Sequence, residues 1–226
     1  KWDCCIDLKL FWIQVMRIKK LHTPIFFTTT TKFGVSLIQS APKKCFFRYD
    51  LVWVKSSCAG FLSAKKMPMR KHEMIYVFYE KLPFYDLSSH THKFLKPITR
   101  EPADKYDPPL PVSVVKQEVR KDKHTTAYGT NIHHHNNEQK NGESIYNPPL
   151  PNSMLEIKSA RGKHSTEKPV ALMEWIFKYY SKEGDVILDP TMGSGSTGVA
   201  CKNMNRNFIG IEMDEEIFKV ASNRLN

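Results

Sequence analysis

Val186-Ile187-Leu188-Asp189-Pro190-Thr191-Met192-Gly193-Ser194-Gly195-Ser196-Thr197 runs from a short apolar strand through an acidic residue and a glycine turn into the start of a helix. Farther on, Asn207-Phe208-Ile209-Gly210-Ile211-Glu212 reads as a second strand that also ends on a carboxylate. Gly193 and Gly195 permit backbone angles that a side chain would forbid and let the main chain approach a ligand. Glu212 follows the first glycine at about the twenty-residue distance that suits a carboxylate bonded to ribose hydroxyls at the C-terminal edge of a parallel sheet. Two acid-tipped strands with a glycine bend beside the first form a cradle for a nucleoside-bearing cofactor. The fold class is therefore α/β.

The stretch lacks Gly-x-Gly-x-x-Gly, so it carries no dinucleotide fingerprint. Gly-Ser-Gly alone is equally compatible with plain turn punctuation. The Asp189-Pro190 before it and the Glu212 after it favour the ligand cradle.

Working outward, a chain of 226 residues with 41% hydrophobic and 12% aromatic residues is long and apolar enough for one α/β domain plus an insertion. The formal net charge of +11 and isoelectric point near 9.4 suit a polyanionic partner. The five cysteines, at positions 4, 5, 45, 58 and 201, are odd in number and lack zinc-ligand spacing. They read as free thiols of a cytoplasmic protein. No apolar run approaches a membrane span, and the start Lys1-Trp2-Asp3-Cys4-Cys5 does not resemble a signal peptide.

The patterning predicts a helix over 8–20 capped by Asp7, a buried strand over 24–29, a short helix over 33–39 and strands over 46–54 and 74–79. Between those last strands lies a basic, glycine-containing loop, 55–72. Its Lys65, Lys66, Arg70 and His72 are candidate contacts to a DNA backbone. From about Pro83 to Ser159 repeated prolines and polar residues break the chain, and no core can form from that stretch alone. His133-His134-His135 sits there without a partner at metal-ligand spacing, so no metal is expected. Helices are predicted over 170–180, from Thr197 to Asn203 and over 215–225, the last capped by Asp214 with Ile217, Val220, Ala221 and Leu225 facing inward.

Asp189-Pro190-Thr191-Met192-Gly193-Ser194-Gly195-Ser196-Thr197-Gly198 resembles motif I of the amino-group DNA methyltransferases, which methylate adenine N6 or cytosine N4. Lys163-His164-Ser165-Thr166-Glu167-Lys168-Pro169 is similar to their motif X, usually His-Pro-Thr-Gln-Lys-Pro. Motif X directly before motif I is the order of the β group. The resemblance is close from about Arg161 to the end and looser over 8–80. It implies a Rossmann-like S-adenosylmethionine-dependent sheet with helices on both faces and an inserted, loop-rich target-recognition region. The implied organisation is a target-base half over 1–96, the recognition insertion over 97–160 and a cofactor half over 161–226.

By the same resemblance, S-adenosylmethionine is the cofactor. Its pocket would comprise His164, Thr166, Lys168, Asp189, Pro190, Met192, Gly193, Ser194, Gly195, Ser196, Thr197 and Glu212. Asp189 suits the ammonium group, Glu212 the ribose hydroxyls and the start of the helix at Ser196 the cofactor carboxylate. Ser165 and Glu167 depart from the usual motif X, and Lys163 and Lys168 are the nearby cations placed to neutralise Glu167. In the insertion, Arg120, Lys121, Lys123 and Tyr128 are candidate DNA contacts.

The family holds its flipped-out target base with Asp-Pro-Pro-Tyr. Here 106–111 and 146–151 carry Pro-Pro-Leu-Pro, with leucine where the aromatic must stand, and read as rigid turns. The resemblance therefore implies a preceding segment that bears this motif, a chain inactive by itself, and catalytic residues outside it. It further implies duplex DNA as substrate, adenine N6 ahead of cytosine N4, and a restriction-modification or epigenetic role in a bacterial or phage setting. A homodimer and a cognate restriction endonuclease are the implied partners, with no membrane.

Overall fold

The computed structural model describes residues 6–90, 150–160 and 167–226. The chain divides into two compact units, one of residues 1–89 and 150–226 and one of residues 90–149. Apart from His90, the second unit lies outside the described residues, and so do Arg120, Lys121, Lys123 and Tyr128 of the expected insertion.

The first unit opens with α1 (Leu8–Ile18), β1 (Ile25–Thr29) and α2 (Thr31–Ser40), followed by β2 (Phe47–Ala59) and β3 (Arg70–Phe78). After the second unit come β4 (Met154–Glu156), α3 (Val170–Tyr180), β5 (Val186–Asp189), α4 (Ser196–Asn203), β6 (Asn207–Gly210) and α5 (Glu215–Leu225). Local chemistry accounts for the ends of the helices. Asp7 Oδ1 accepts the Leu10 N–H at 3.0 Å, and Asp214 Oδ1 accepts the Glu216 and Ile217 N–H groups, both at 3.0 Å. Pro169 precedes α3, where a missing N–H costs nothing.

The strands form a four-stranded mixed sheet, ordered β1-β3-β2-β4, and a two-stranded parallel sheet, β5-β6. Among the described residues the two sheets share no strand pair, and α3 spans them instead. Phe26 of β1 and Ile187 of β5 both pack against the cluster of Ile176, Phe177, Ala200 and Cys201. The alternation in β3 shows why helices cover both faces of the larger sheet. Ile75 and Val77 join Leu172 of α3, whereas Tyr76 and Phe78 join Trp12 of α1 and Leu37 of α2. The Tyr49 and Tyr180 hydroxyls lie 2.7 Å apart and tie β2 to α3, and burial pushes both phenols above their ordinary range.

Three features differ from the sequence expectation. Strands β2 and β3 run well into the expected loop 55–72, because their outer ends pair with each other from Val54↔His72 to Ala59↔Arg70. Met154–Glu156, which the composition grouped with the insertion, pairs in parallel with Val52–Val54, and Leu155 is buried there. The Trp53 indole N–H also donates to the Ile157 carbonyl at 2.8 Å. On α5, Ala221 is buried but Val220 is 45% exposed, so Val220 lies off the inward stripe. No helix among the described residues is long and apolar enough to cross a membrane. Cys45, Cys58 and Cys201 are free thiols, and burial pushes Cys201 up to about 11.

Candidate functional site

Strands β5 and β6 are in register from Val186↔Asn207 to Asp189↔Gly210, so both chains leave the sheet at its carboxyl edge side by side. There the Ile211 N–H donates to the Asp189 carbonyl at 2.9 Å and the Met192 N–H to the Ile211 carbonyl at 3.0 Å. These bonds carry the ladder past the strands and hold the glycine turn against the segment that bears Glu212. The carboxyl edge of parallel strands is where ligands enter sheets of this kind.

Gly193 and Gly195 have φ values of 51° and 81°. Both lie in the left-handed region, where glycine avoids a strain of about 1–2 kcal/mol for an ordinary side chain. A Cβ on Gly193 would meet nothing within 4 Å, so its constraint is conformational. At Gly195 a Cβ would also press on Ala221 Cβ at 3.2 Å. Gly193→Ala should therefore lower stability by about 1–2 kcal/mol without a steric clash. Urea unfolding reads this directly as a lower midpoint at unchanged slope.

The two carboxylates organise the turn. Glu212 Oε2 accepts the Gly193 N–H at 2.9 Å, while Oε1 accepts the Met213 and Asp214 N–H groups at 2.9 and 3.1 Å. Asp189 Oδ1 accepts the Thr191 N–H at 3.1 Å, and Oδ2 accepts the Thr197 hydroxyl at 2.5 Å. Each carboxylate is thus oriented by the backbone around it and remains part-exposed at the strand ends. The arrangement offers a negatively charged rim on both sides of the glycine turn. It suits a cation that also carries vicinal hydroxyls.

Apart from Lys168, the expected pocket residues fall into three groups. Asp189, Pro190, Gly193, Gly195 and Glu212 lie on or beside the turn. Met192, Ser194, Ser196 and Thr197 are buried behind it. Met192 lies across Gly210, where a Cβ would collide with its sulfur, so this side chain seals the turn from within. His164 and Thr166, with Lys163, lie outside the described residues.

Two residues of the motif X region have partners that spacing did not reveal. Glu167, for which Lys163 and Lys168 were the nearby cations, accepts from Arg224 Nη1 of α5 at 2.7 Å. The same Arg224 nitrogen reaches the Ser194 carbonyl and the Ser194 and Ser196 hydroxyls at 3.3–3.5 Å. Arg224 therefore braces the glycine turn from the last turn of the last helix. It lies 57 residues from Glu167, beyond the reach of any local motif.

Lys168, expected beside the methionine end of the cofactor, pairs with Glu73 Oε1 at 3.2 Å. Lys55 holds the other Glu73 oxygen at 2.8 Å. Burial opposes ionisation of Glu73, but hydrogen bonds and charge from Lys55 and Lys168 outweigh it and hold the carboxyl below its ordinary value of 4.5. A carboxyl lowered on folding stabilises fully above its unfolded pKa, and that contribution is lost as pH falls through the folded value. Wild-type melting temperature should therefore drop more steeply below about pH 4.5 than that of Glu73→Gln, in a scan from pH 7 to pH 3.

Of the candidate DNA contacts in this unit, Lys65, Lys66, Arg70 and His72 are all exposed at the far end of the β2–β3 hairpin. Among the described residues no group of histidine, cysteine or carboxylate side chains could hold a metal ion.

A DNA methylase family model, that of the N6/N4 methyltransferases, matches residues 8–223. The type II methyltransferase M2.DpnII of Streptococcus pneumoniae is 52% identical over 60 residues, 26% of this chain and 22% of that protein. M.HpaI of Haemophilus parainfluenzae is 44% identical over 61 residues, 27% of this chain and 19% of that protein. The matched segments thus span about a fifth of those relatives' lengths. Among solved structures, the complex of M1.HpyAVI with S-adenosylmethionine superposes with a TM-score of 0.61 at 21% identity, covering 96% of this chain and 81% of that one. The cytosine-N4-specific PvuII DNA methyltransferase gives 0.56 at 13% identity, covering 90% and 63%. These superpositions establish the fold, and the family model covers nearly the whole sequence: the chain belongs to the DNA methylase family of N6/N4 methyltransferases.

Proposed function

We propose that this chain provides the cofactor half and some of the DNA surface of an S-adenosylmethionine-dependent DNA methyltransferase, acting on the exocyclic amine of a flipped-out base. The observation that carries the reading is the pair Asp189 and Glu212 at adjacent carboxyl ends of β5 and β6, flanking the glycine turn. S-adenosylmethionine bears a sulfonium and an ammonium against one carboxylate, and its ribose offers two neighbouring hydroxyls. Glu212 would take the hydroxyls, exchanging its bond with the Gly193 amide for two from the ligand. Asp189, held by Thr197, would face the ammonium end. The N-terminal amides of α4 would receive the cofactor carboxylate. His164, Thr166 and Lys168 would close the methionine end, Lys168 on release from Glu73.

The substrate is duplex DNA, consistent with a net charge of +11. In this reading Lys65, Lys66, Arg70 and His72 contact phosphates, and Arg120, Lys121, Lys123 and Tyr128 act from the recognition insertion. Adenine N6 is the first reading of the acceptor. Cytosine N4 is the second, favoured by the structural likeness to the PvuII enzyme. A homodimer, a cognate restriction endonuclease and a bacterial or phage-encoded cytoplasmic setting belong to the same proposal.

The test is sequencing of DNA from cells expressing the full-length gene to which this chain belongs, read for both modified bases. One modified base at one short recurring site is the expected result. Unmodified DNA from cells that accumulate the folded protein would contradict it.

A further inference from the structure

The hairpin joining β2 and β3 carries large apolar side chains where solvation should disfavour them. Phe61 is 81% exposed, Leu62 is 100% exposed and Met67 is 60% exposed. They stand on a tightly bonded tip. Gly60 enters it at φ 90°, and a 3-10 turn, Phe61–Ser63, follows. The Ser63 N–H donates to the Gly60 carbonyl at 2.9 Å, the Ala64 N–H to the Phe61 carbonyl at 3.0 Å, and the Lys66 and Met67 N–H groups to the Ser63 carbonyl at 2.9 and 3.0 Å. The tip holds Phe61 and Leu62 out on ordered backbone, so the cost of arranging them is met before any partner arrives.

Charge surrounds this apolar point. From Lys55 to His72 the chain has five cations, Lys55, Lys65, Lys66, Arg70 and Lys71, and no acidic residue. Lys65, Lys66, Arg70 and Lys71 are exposed. Singly exposed apolar residues are commonplace, but an apolar pair held on a bonded hairpin tip whose arms carry exposed cations is a shape with a use. Proteins that unstack DNA insert Phe, Leu or Met between base steps while flanking cations hold the phosphates. The charge complements a polyanion. Two protruding side chains are enough to open a single base step, whereas stable attachment to a lipid surface takes a longer apolar face or an acyl chain.

We infer that Phe61 and Leu62 form a wedge that enters the base stack of duplex DNA, with Lys65, Lys66 and Arg70 clamping the phosphates on either side. The inference rests on the DNA-methyltransferase reading and deepens it. A base must leave the stack before its amine can be methylated, and a wedge at a neighbouring step lowers the cost of that departure.

Insertion unwinds the duplex, so the experiment reads winding and binding separately. Relaxed closed-circular plasmid is incubated with the chain and a type I topoisomerase, deproteinised and resolved into topoisomers, while binding to the same plasmid is measured across salt concentrations. The wild-type chain should shift the topoisomer distribution in proportion to the amount bound. Phe61→Ser with Leu62→Ser should abolish the shift and keep affinity within about threefold. Lys65→Ala with Lys66→Ala should weaken binding and flatten the salt slope by about one unit for each phosphate no longer neutralised. Both pairs sit on the exposed tip, and an unchanged melting temperature verifies the fold. Binding without a shift, or an equal shift from the serine variant, overturns the wedge and leaves the DNA reading standing. Failure to bind plasmid at all overturns the DNA reading and the wedge with it. Binding to anionic vesicles that the serine pair abolishes, with no topoisomer shift, assigns the tip to a lipid surface and overturns the wedge.

Discussion

Phe78→Ala should destabilise the first unit by about 3–5 kcal/mol, the range for deleting a buried phenylalanine. Phe78 is fully buried, and its ring lies 5.4 Å from Trp12, 5.6 Å from Phe27 and 5.8 Å from Phe47, centre to centre. One side chain thus joins α1, β1, β2 and β3. The rings meet edge-on or tilted, which adds to the area they bury. No neighbour can fill the hole without leaving its own packing partners, so the site collapses poorly. In a domain of this size the loss corresponds to a fall of about 6–20 °C in melting temperature. The same variant, at a temperature where it stays folded, should bind S-adenosylmethionine within about twofold of wild type. A large change in affinity would mean that the turn at β5 depends on the aromatic core more than its own hydrogen bonds indicate.

Asp189→Ala should weaken S-adenosylmethionine binding by about 10–100-fold, the worth of roughly 1.5–3 kcal/mol for a hydrogen bond to a charged group. The substitution acts twice. It removes the negative group facing the ammonium end, and it strips the acceptor from Thr197, whose hydroxyl sits in a residue only 8% exposed. Asp189→Asn separates the two effects, since an amide oxygen can still accept from Thr197. If charge carries the interaction, the asparagine variant loses most of the affinity while its stability stays near wild type. Calorimetric titration of both variants gives the comparison. Unchanged affinity in the alanine variant would remove Asp189 from the site.

The features readable from the sequence share a local cause. Helices α3 and α5 matched their expected bounds because Pro169 and Asp214 mark their starts and apolar residues recur at helical spacing. The turn at 189–197 was legible in part for the same reason, since Asp189 and the two glycines that shape it are neighbours in sequence, whereas its braces Glu212 and Arg224 come from farther along the chain. What escaped was set at a distance. The outer ends of β2 and β3 are polar and basic, and only their pairing makes them strands. Met154–Glu156 is too short and too close to proline to read as a strand, yet β2 captures it. The partners Arg224 of Glu167 and Glu73 of Lys168 come from α5 and β3, distant in sequence, so neighbouring residues gave no sign of them. Val220 shows the limit of periodicity itself, because a helix that covers a narrow strip of its neighbour buries fewer positions than its apolar pattern offers.

Diffraction from crystals of the chain grown with S-adenosylmethionine tests the central claim most directly. The account predicts the donor at the carboxyl ends of β5 and β6, with both ribose hydroxyls on Glu212 and the amino-acid end beside Asp189. A donor bound elsewhere, or a nucleotide phosphate preferred at the glycine turn, would contradict it.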